Sequence, residues 1–192
     1  MADAAARFND TVMPHLDAAY TFARYLARDR DCAEDIVHDA VLRALRSFED
    51  YRGGDARAWL LAIVRNCFLT WAAARSKAGG APAVRADGGT DEPAGDPWDR
   101  EAVTPEAALL RRDEAAAVRT LIETLPEPFR EALVLREMED LSYRQIAEIT
   151  GVPIGTVMSR LARARTMFGA SWQRLLGTDA PGSGPGREHA FR

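Results

Sequence analysis

Apolar residues near the start of the chain recur at steps of three and four. Phe8, Val12, Leu16, Ala19, Phe22, Ala23 and Leu26 form one stripe, which predicts an amphipathic helix over about residues 6 to 28, with Pro14 tilting its first turns. "DCAE" follows, with Asp31 as an N-cap and Glu34 completing a capping box; Ile36, Val37, Ala40, Val41, Ala44, Leu45 and Phe48 mark a second helix. Gly53 and Gly54 break the pattern. Asp55 then caps a third helix, in which Trp59, Leu60, Ile63, Val64, Cys67, Phe68 and Trp71 line one broad side until about Arg75. No strand pattern appears.

Periodicity resumes at "TPE", where Thr104 is an N-cap and Pro105 the first helical residue. Ala107, Leu110, Ala117, Val118, Leu121 and Ile122 carry that helix to Leu125, and Pro126 stops it. A short helix about Phe129, Leu133 and Val134 comes next. Ser142 caps another containing Ile146, Ala147 and Ile149, which Gly151 ends. Pro153 or Gly155 opens the last, with Val157, Leu161, Ala164 and Phe168 facing inward.

Between the two sets, residues 78 to 106 hold five Gly, four Pro and seven acids against two basic residues, the composition of a flexible linker. The expected fold is therefore all-α. Two small helical domains, residues 6–76 and 104–176, are joined by a flexible acidic linker, 77–103, and "GTDAPGSGPGREHAFR" from Gly177 to 192 reads as a disordered tail.

The last two helices carry a specific spacing. Ala147 is small enough for two helices to cross closely, Gly151 supplies a turn that tolerates positive φ, and Val157 anchors the second helix beneath the first. This is helix-turn-helix spacing; the same pattern also fits a solvated helical hairpin whose arginines only keep it soluble. In such a motif the first turns of the second helix enter the major groove, which leaves Thr156, Met158, Ser159, Ala162 and Arg163 on or near the exposed side. Arg160 and Arg165 can reach phosphates.

Charge sharpens this reading. The whole chain has a formal net charge of -4, the wrong sign for a protein that coats a polyanion. Its charges are partitioned, however. Ser142 to Arg174 holds five arginines against one acid, and Ala56 to Lys77 four basic residues and no acid, whereas Asp29 to Asp50 has seven acids against three arginines. Two basic faces and one acidic helix call for different partners.

The remaining chemistry is mostly excluded. Cys32 and Cys67 lack CxxC spacing and only His15, His38 and His189 accompany them, so no metal site is signalled and both read as buried free thiols. There is no nucleophile elbow, Gly-rich phosphate loop or acid cluster with metal spacing, so neither an enzyme nor a cofactor is expected. No run approaches the roughly 18 apolar residues of a membrane span, and "MADAAARFND" lacks the form of a signal peptide. The expectation is a cytoplasmic protein without membrane insertion.

In "ARAWLLAIVRNCFLTWAAARSK", Trp59, Phe68 and Trp71 interleave with Arg57, Arg65, Asn66, Arg75 and Lys77. That pattern suits stacking of unpaired bases along a phosphate backbone, and equally suits a helix core. "DIVHDAVLRALRSFEDYRGGDARAWLLAIVRNCFLTWAAAR", followed after the linker by "LPEPFREALVLREMEDLSYRQIAEITGVPIGTVMSRLARAR", resembles the extracytoplasmic-function (ECF) sigma factors, the small promoter-specificity subunits of bacterial RNA polymerase. The resemblance covers about residues 8 to 76 and 104 to 170.

It implies a role for each face. Asp35, His38, Asp39 and Arg43 match the segment that docks on the clamp coiled coil of the polymerase largest subunit, with His38 where glutamine is common. Tyr51, Arg52 and Gly53 fall in the loop, and Trp59, Arg65 and Asn66 in the "W…RN" helix, that recognise the minus-ten element and capture flipped bases. Thr156, Met158, Ser159, Arg160, Arg163 and Arg165 fall on the helix that reads the minus-thirty-five duplex. Met158 stands where arginine is frequent, and a methionine cannot make arginine's bidentate guanine contact. The implied partners are core RNA polymerase and promoter DNA, with an anti-sigma factor as a further candidate. On the motif alone, a free-standing helix-turn-helix regulator that binds an operator without polymerase is the alternative.

Overall fold

The structure, a computed structural model, describes residues 2–77 and 105–177, with side chains from residue 5 and from residue 114 in the two segments. The expected linker, the tail and the Thr104 cap lie outside the described residues. The N-terminal segment is α1 (Ala2–Val12), α2 (Leu16–Ala27), α3 (Arg30–Ser47) and α4 (Ala56–Lys77); the C-terminal one is α5 (Pro105–Thr124), α6 (Glu127–Glu137), α7 (Tyr143–Thr150) and α8 (Ile154–Leu175). Among the described residues there is no strand, and no helix is long and apolar enough to cross a membrane.

Two local expectations are corrected. The single first helix is two, because a 3-10 turn at Met13–His15 separates α1 from α2, with Pro14 inside it. Proline has no N–H to donate and its ring crowds the preceding turn, so the apolar stripe continues across a break in the hydrogen-bond ladder. The cap of α3 is Asp29, whose carboxylate accepts from Cys32 N–H at 2.9 Å; Asp31 lies within the first turn of the helix. Other signals act as read. Asp55 accepts from Ala58 N–H at 3.0 Å, and Ser142 and Gln145 form a reciprocal capping box.

α2, α3 and α4 pack together around Phe22, Leu60, Leu61 and Val64, all fully buried, and α1 covers one end with Phe8 and Val12. α8 packs on α6 and α7 through Val157, Leu161 and Ala164, while Phe168 is only partly buried. Each fully buried leucine contributes about 1.5–3 kcal/mol through the apolar surface it removes from water. The two halves also touch: α2 lies against α6, and α4 against α7.

Cys67 is buried as expected, but Cys32 is only partly buried, and desolvation acts on both thiols. Desolvation pushes Cys67 up to about 11, only partly opposed by the Arg43 charge, and Cys32 also up to about 11, with burial first and the Asp29 side chain second. A thiol with a pKa near 11 holds roughly two to three orders of magnitude less thiolate at pH 8 than a free one. Native protein mixed with Ellman's reagent at pH 8 is therefore expected to react more slowly than free cysteine, by about one to two orders of magnitude, and unfolded protein at the ordinary rate.

Candidate DNA and polymerase interfaces

The helix-turn-helix is built by backbone constraints at both ends of α7. Ser142 N–H donates to Gln145 Oε1 at 2.9 Å, fixing the start of the helix. Gly151 closes it with φ +68° and donates its N–H to Ala147 O at 2.9 Å, a left-handed conformation that glycine adopts without steric cost. α8 then leaves at an angle set by Val157 and Leu161, both 1% exposed. With that face locked inward, Met158, Ser159, Ala162 and Arg163 face solvent and Thr156 is half-buried.

Two further arginines of the recognition helix, Arg165 and Arg160, are already engaged. Arg165 donates through Nε and Nη2 to Glu137 Oε1 at 3.1 and 2.7 Å, an exposed pair. Arg160 turns inward, with Nη1 3.9 Å from Glu131 Oε2 and only 23% of its side chain exposed.

Before α4, Gly53 (φ +91°) and Gly54 (φ +104°) let the chain reverse into a tight loop. Tyr51 Oη donates to Gly54 O at 2.7 Å, and the Tyr51 ring packs between Phe48 and Trp59, at 5.8 and 4.9 Å between centroids. Tyr51 and Trp59 are thus half-buried against each other, whereas Arg52, Gly53 and Asn66 are exposed. The sequence places these five residues together with Arg65; the structure separates them into an aromatic support, Tyr51 and Trp59, and the exposed Arg52, Gly53 and Asn66, and turns Arg65 onto Glu131.

On α3, Asp35 and His38 are exposed. Asp39 and Arg43 are partly exposed and form an i,i+4 ion pair at 2.7 Å. Ile36, Val37 and Ala40 hold the opposite face in the core. Beside the acidic edge, Leu16, Tyr20, Val37, His38 and Val41 line a shallow groove of about 500 Å³ between α2 and α3.

Sequence reasoning missed the residues between the halves. Glu131 is 3% exposed and accepts from Arg65 Nε while Arg160 stands on its other oxygen. Gln145 Nε2 donates to Asp55 Oδ2 at 2.6 Å, and Arg57 lies 4.0 Å from the buried carboxylate of Glu139. Arg130, 3% exposed, donates to Leu125 O at 2.7 Å and to Leu26 O at 3.4 Å; Arg28 reaches the same Leu125 carbonyl at 3.1 Å. Burial raises the pKa of Glu131, opposed by Arg65, and that of Glu139, opposed by Arg57; burial and then the Arg28 charge push Arg130 down to about 10. The available signal was "FREALVL", where two charges interrupt an apolar run.

A helix-turn-helix with exposed side chains on its second helix, joined in one chain to a bundle with an acidic edge and a basic helix, defines a transcription factor with more than one partner. Residues 11–78 match the family model described as Sigma-70 region 2, and residues 115–168 that described as Sigma-70, region 4. The chain is 36% identical over 149 residues to the RNA polymerase sigma-H factor of Pseudomonas aeruginosa, covering 77% of each protein. It is 34% identical over 154 residues to the ECF RNA polymerase sigma-E factor of Haemophilus influenzae, covering 80% of each. Among solved structures it resembles the sigma factor RpoE in complex with the anti-sigma factor NepR from Bartonella quintana. That likeness has a TM-score of 0.65 and 28% identity, over 91% of this chain and 99% of that one. The chain belongs to the ECF sigma factors of the sigma-70 family, which direct promoter-specific initiation by RNA polymerase. Paired region 2 and region 4 matches do not favour the free-standing regulator.

Proposed function

We propose that each exposed face carries one step of promoter selection, by binding and without covalent catalysis, in the cytoplasm. Asp35, His38, Asp39 and Arg43 on α3 dock on the clamp of the polymerase largest subunit. Arg52, Gly53, Arg65 and Asn66 hold the melted minus-ten strand, with Tyr51 and Trp59 as the aromatic wall behind the loop. Strand capture offsets the few kcal/mol or so that unstacking each base step costs.

Met158, Ser159 and Arg163 contact base edges of the upstream duplex, with Thr156 beside them and Arg165 toward phosphates; Arg160, read from the sequence as a phosphate contact, turns inward onto Glu131 instead. The observation that supports this reading best is the outward projection of Met158, Ser159 and Arg163 from the first turns of α8 while Val157, Leu161 and Ala164 are buried behind them. Likeness to a sigma factor in complex with an anti-sigma factor favours such a partner for this chain too. The domain limits we assign are 6–76 and 104–176.

The expected result of Arg163→Ala is an altered upstream-element preference with unchanged affinity for core polymerase. One bidentate base contact is worth about 1–3 kcal/mol, or roughly 5- to 150-fold in discrimination. Sequencing of transcripts made on a library of randomised upstream elements reads this directly. An unchanged profile assigns base reading to another face.

A further inference from the structure

A helix in the major groove most often reads guanine through arginine, and two arginines of α8 are committed to the protein itself. Arg160 turns onto the buried Glu131, and Arg165 donates to Glu137. Arg163 lines a groove with Phe129, Ala162 and Thr166. Five residues at about 100° each put Arg163 about 140° round the helix from Met158, with Ser159 between them. The flank on which Met158 stands therefore has a chemistry of its own.

That flank is apolar. Ile154 is 46% exposed and Met158 54% exposed. Four residues apart, they are neighbours on the helix surface and form one short ridge at the start of α8. Single exposed apolar side chains are ordinary, whereas two side by side on the face assigned to DNA call for an apolar partner. Between them in the sequence, Gly155 has no positive φ, and a Cβ added to it would meet nothing within 4 Å. Glycine weakens a helix, and here neither the backbone nor the packing of the domain requires it. Its effect is to take bulk off the outer surface beside Ile154 and Met158, where a base-pair edge comes close.

In the major groove only thymine offers an apolar group, its C5 methyl; the other bases present donors and acceptors. Methionine, unbranched and polarizable, adapts its shape to such a group. We propose that Ile154 and Met158 form an apolar ridge that packs on thymine methyl groups, so that this chain reads A·T pairs in the part of its upstream element that lies under the first turns of α8. This rests on the reading of α8 as the duplex-reading helix, and it adds Ile154 to the residues that determine specificity. Burial of one methyl group is worth about a fourfold change in affinity.

The test uses holoenzyme assembled from core polymerase and the full-length chain, wild type, with Ile154→Ala and Met158→Ala together, or with Arg163→Ala. Transcription from a library of randomised upstream elements selects the preferred duplex for each protein. The wild-type element is then resynthesised with each thymine exchanged in turn for uracil, which keeps the pairing and lacks only the methyl. Competition against the labelled parent duplex at fixed salt reads the affinity, and thermal unfolding checks that each variant is folded.

At least one exchange is expected to weaken wild-type binding about fourfold, and the same exchange to leave the double variant unaffected. No sensitivity to any exchange in wild type overturns the ridge without reliance on a variant. A sensitivity that persists undiminished in the double variant overturns it as well. If the ridge falls while Arg163→Ala still changes the selected elements, base reading by α8 stands. If neither the double variant nor Arg163→Ala changes them, the reading of α8 falls and the ridge with it.

Discussion

Asp35→Lys and Asp39→Lys together are expected to weaken binding to core polymerase by about 100-fold and leave the helical circular dichroism unchanged. Asp35 is exposed and Asp39 partly so, and their helix is anchored in the core by Ile36, Val37 and Ala40 on the opposite side, while the one inward contact of these carboxylates is that of Asp39 with the Cys67 thiol. Like charges brought together across an interface cost several kcal/mol, and about 2.7 kcal/mol corresponds to 100-fold. Asp39→Lys also turns an attractive pair with Arg43 into a repulsive one, which adds positive charge to the same face. Titration of labelled core polymerase with each protein is the measurement. Retention of wild-type affinity by the double variant would move the docking surface off α3.

Leu161→Ala has the largest expected effect on stability. Leu161 is 1% exposed, in the face of α8 that packs against α6 and α7. Truncating a buried leucine loses its transfer energy and leaves a cavity, about 2–5 kcal/mol in all. That is a large share of the stability of a domain this small, marginal at about 0.05–0.15 kcal/mol per residue. Thermal unfolding is expected to shift down by several degrees or more, with loss of upstream-element recognition and retention of clamp binding. Met158→Ala, on the exposed side of the same helix, is expected to leave the melting temperature unchanged, so the pair separates packing from reading.

How much was legible in advance depends on the range of the interaction. The inward residues Val157, Leu161 and Ala164 follow from the 3.6-residue period, and with them the outward direction of Met158, Ser159 and Arg163. Caps are local and mostly readable, as Ser142 and Asp55 were. Asp29 and Asp31 stand two residues apart, and Glu34 favoured the wrong one because it completes a capping-box spacing with Asp31; in the structure Glu34 pairs with Arg30 instead. Pro14 was misjudged because an apolar stripe records which side faces the core and carries no information on whether the backbone ladder is continuous.

The contacts between the halves were illegible for a different reason. Arg65 and Glu131 are 66 residues apart, and no periodicity links them. What the sequence did display was half of each pair: a basic helix with no acid, and an arginine and a glutamate inside "FREALVL". Those charges needed partners, and only the packing of α2 on α6 and α4 on α7 identifies them.

The same separation has a consequence for synthesis. A ribosome elongating at about 5–20 residues per second delivers the N-terminal bundle first. The 66 residues between Arg65 and Glu131 then take several seconds more. For that interval the nascent chain carries Arg65 with its partner carboxylate not yet made. Its N-terminal bundle then rests on its own core of Phe22, Leu60, Leu61 and Val64 until α6 is made to pack against α2.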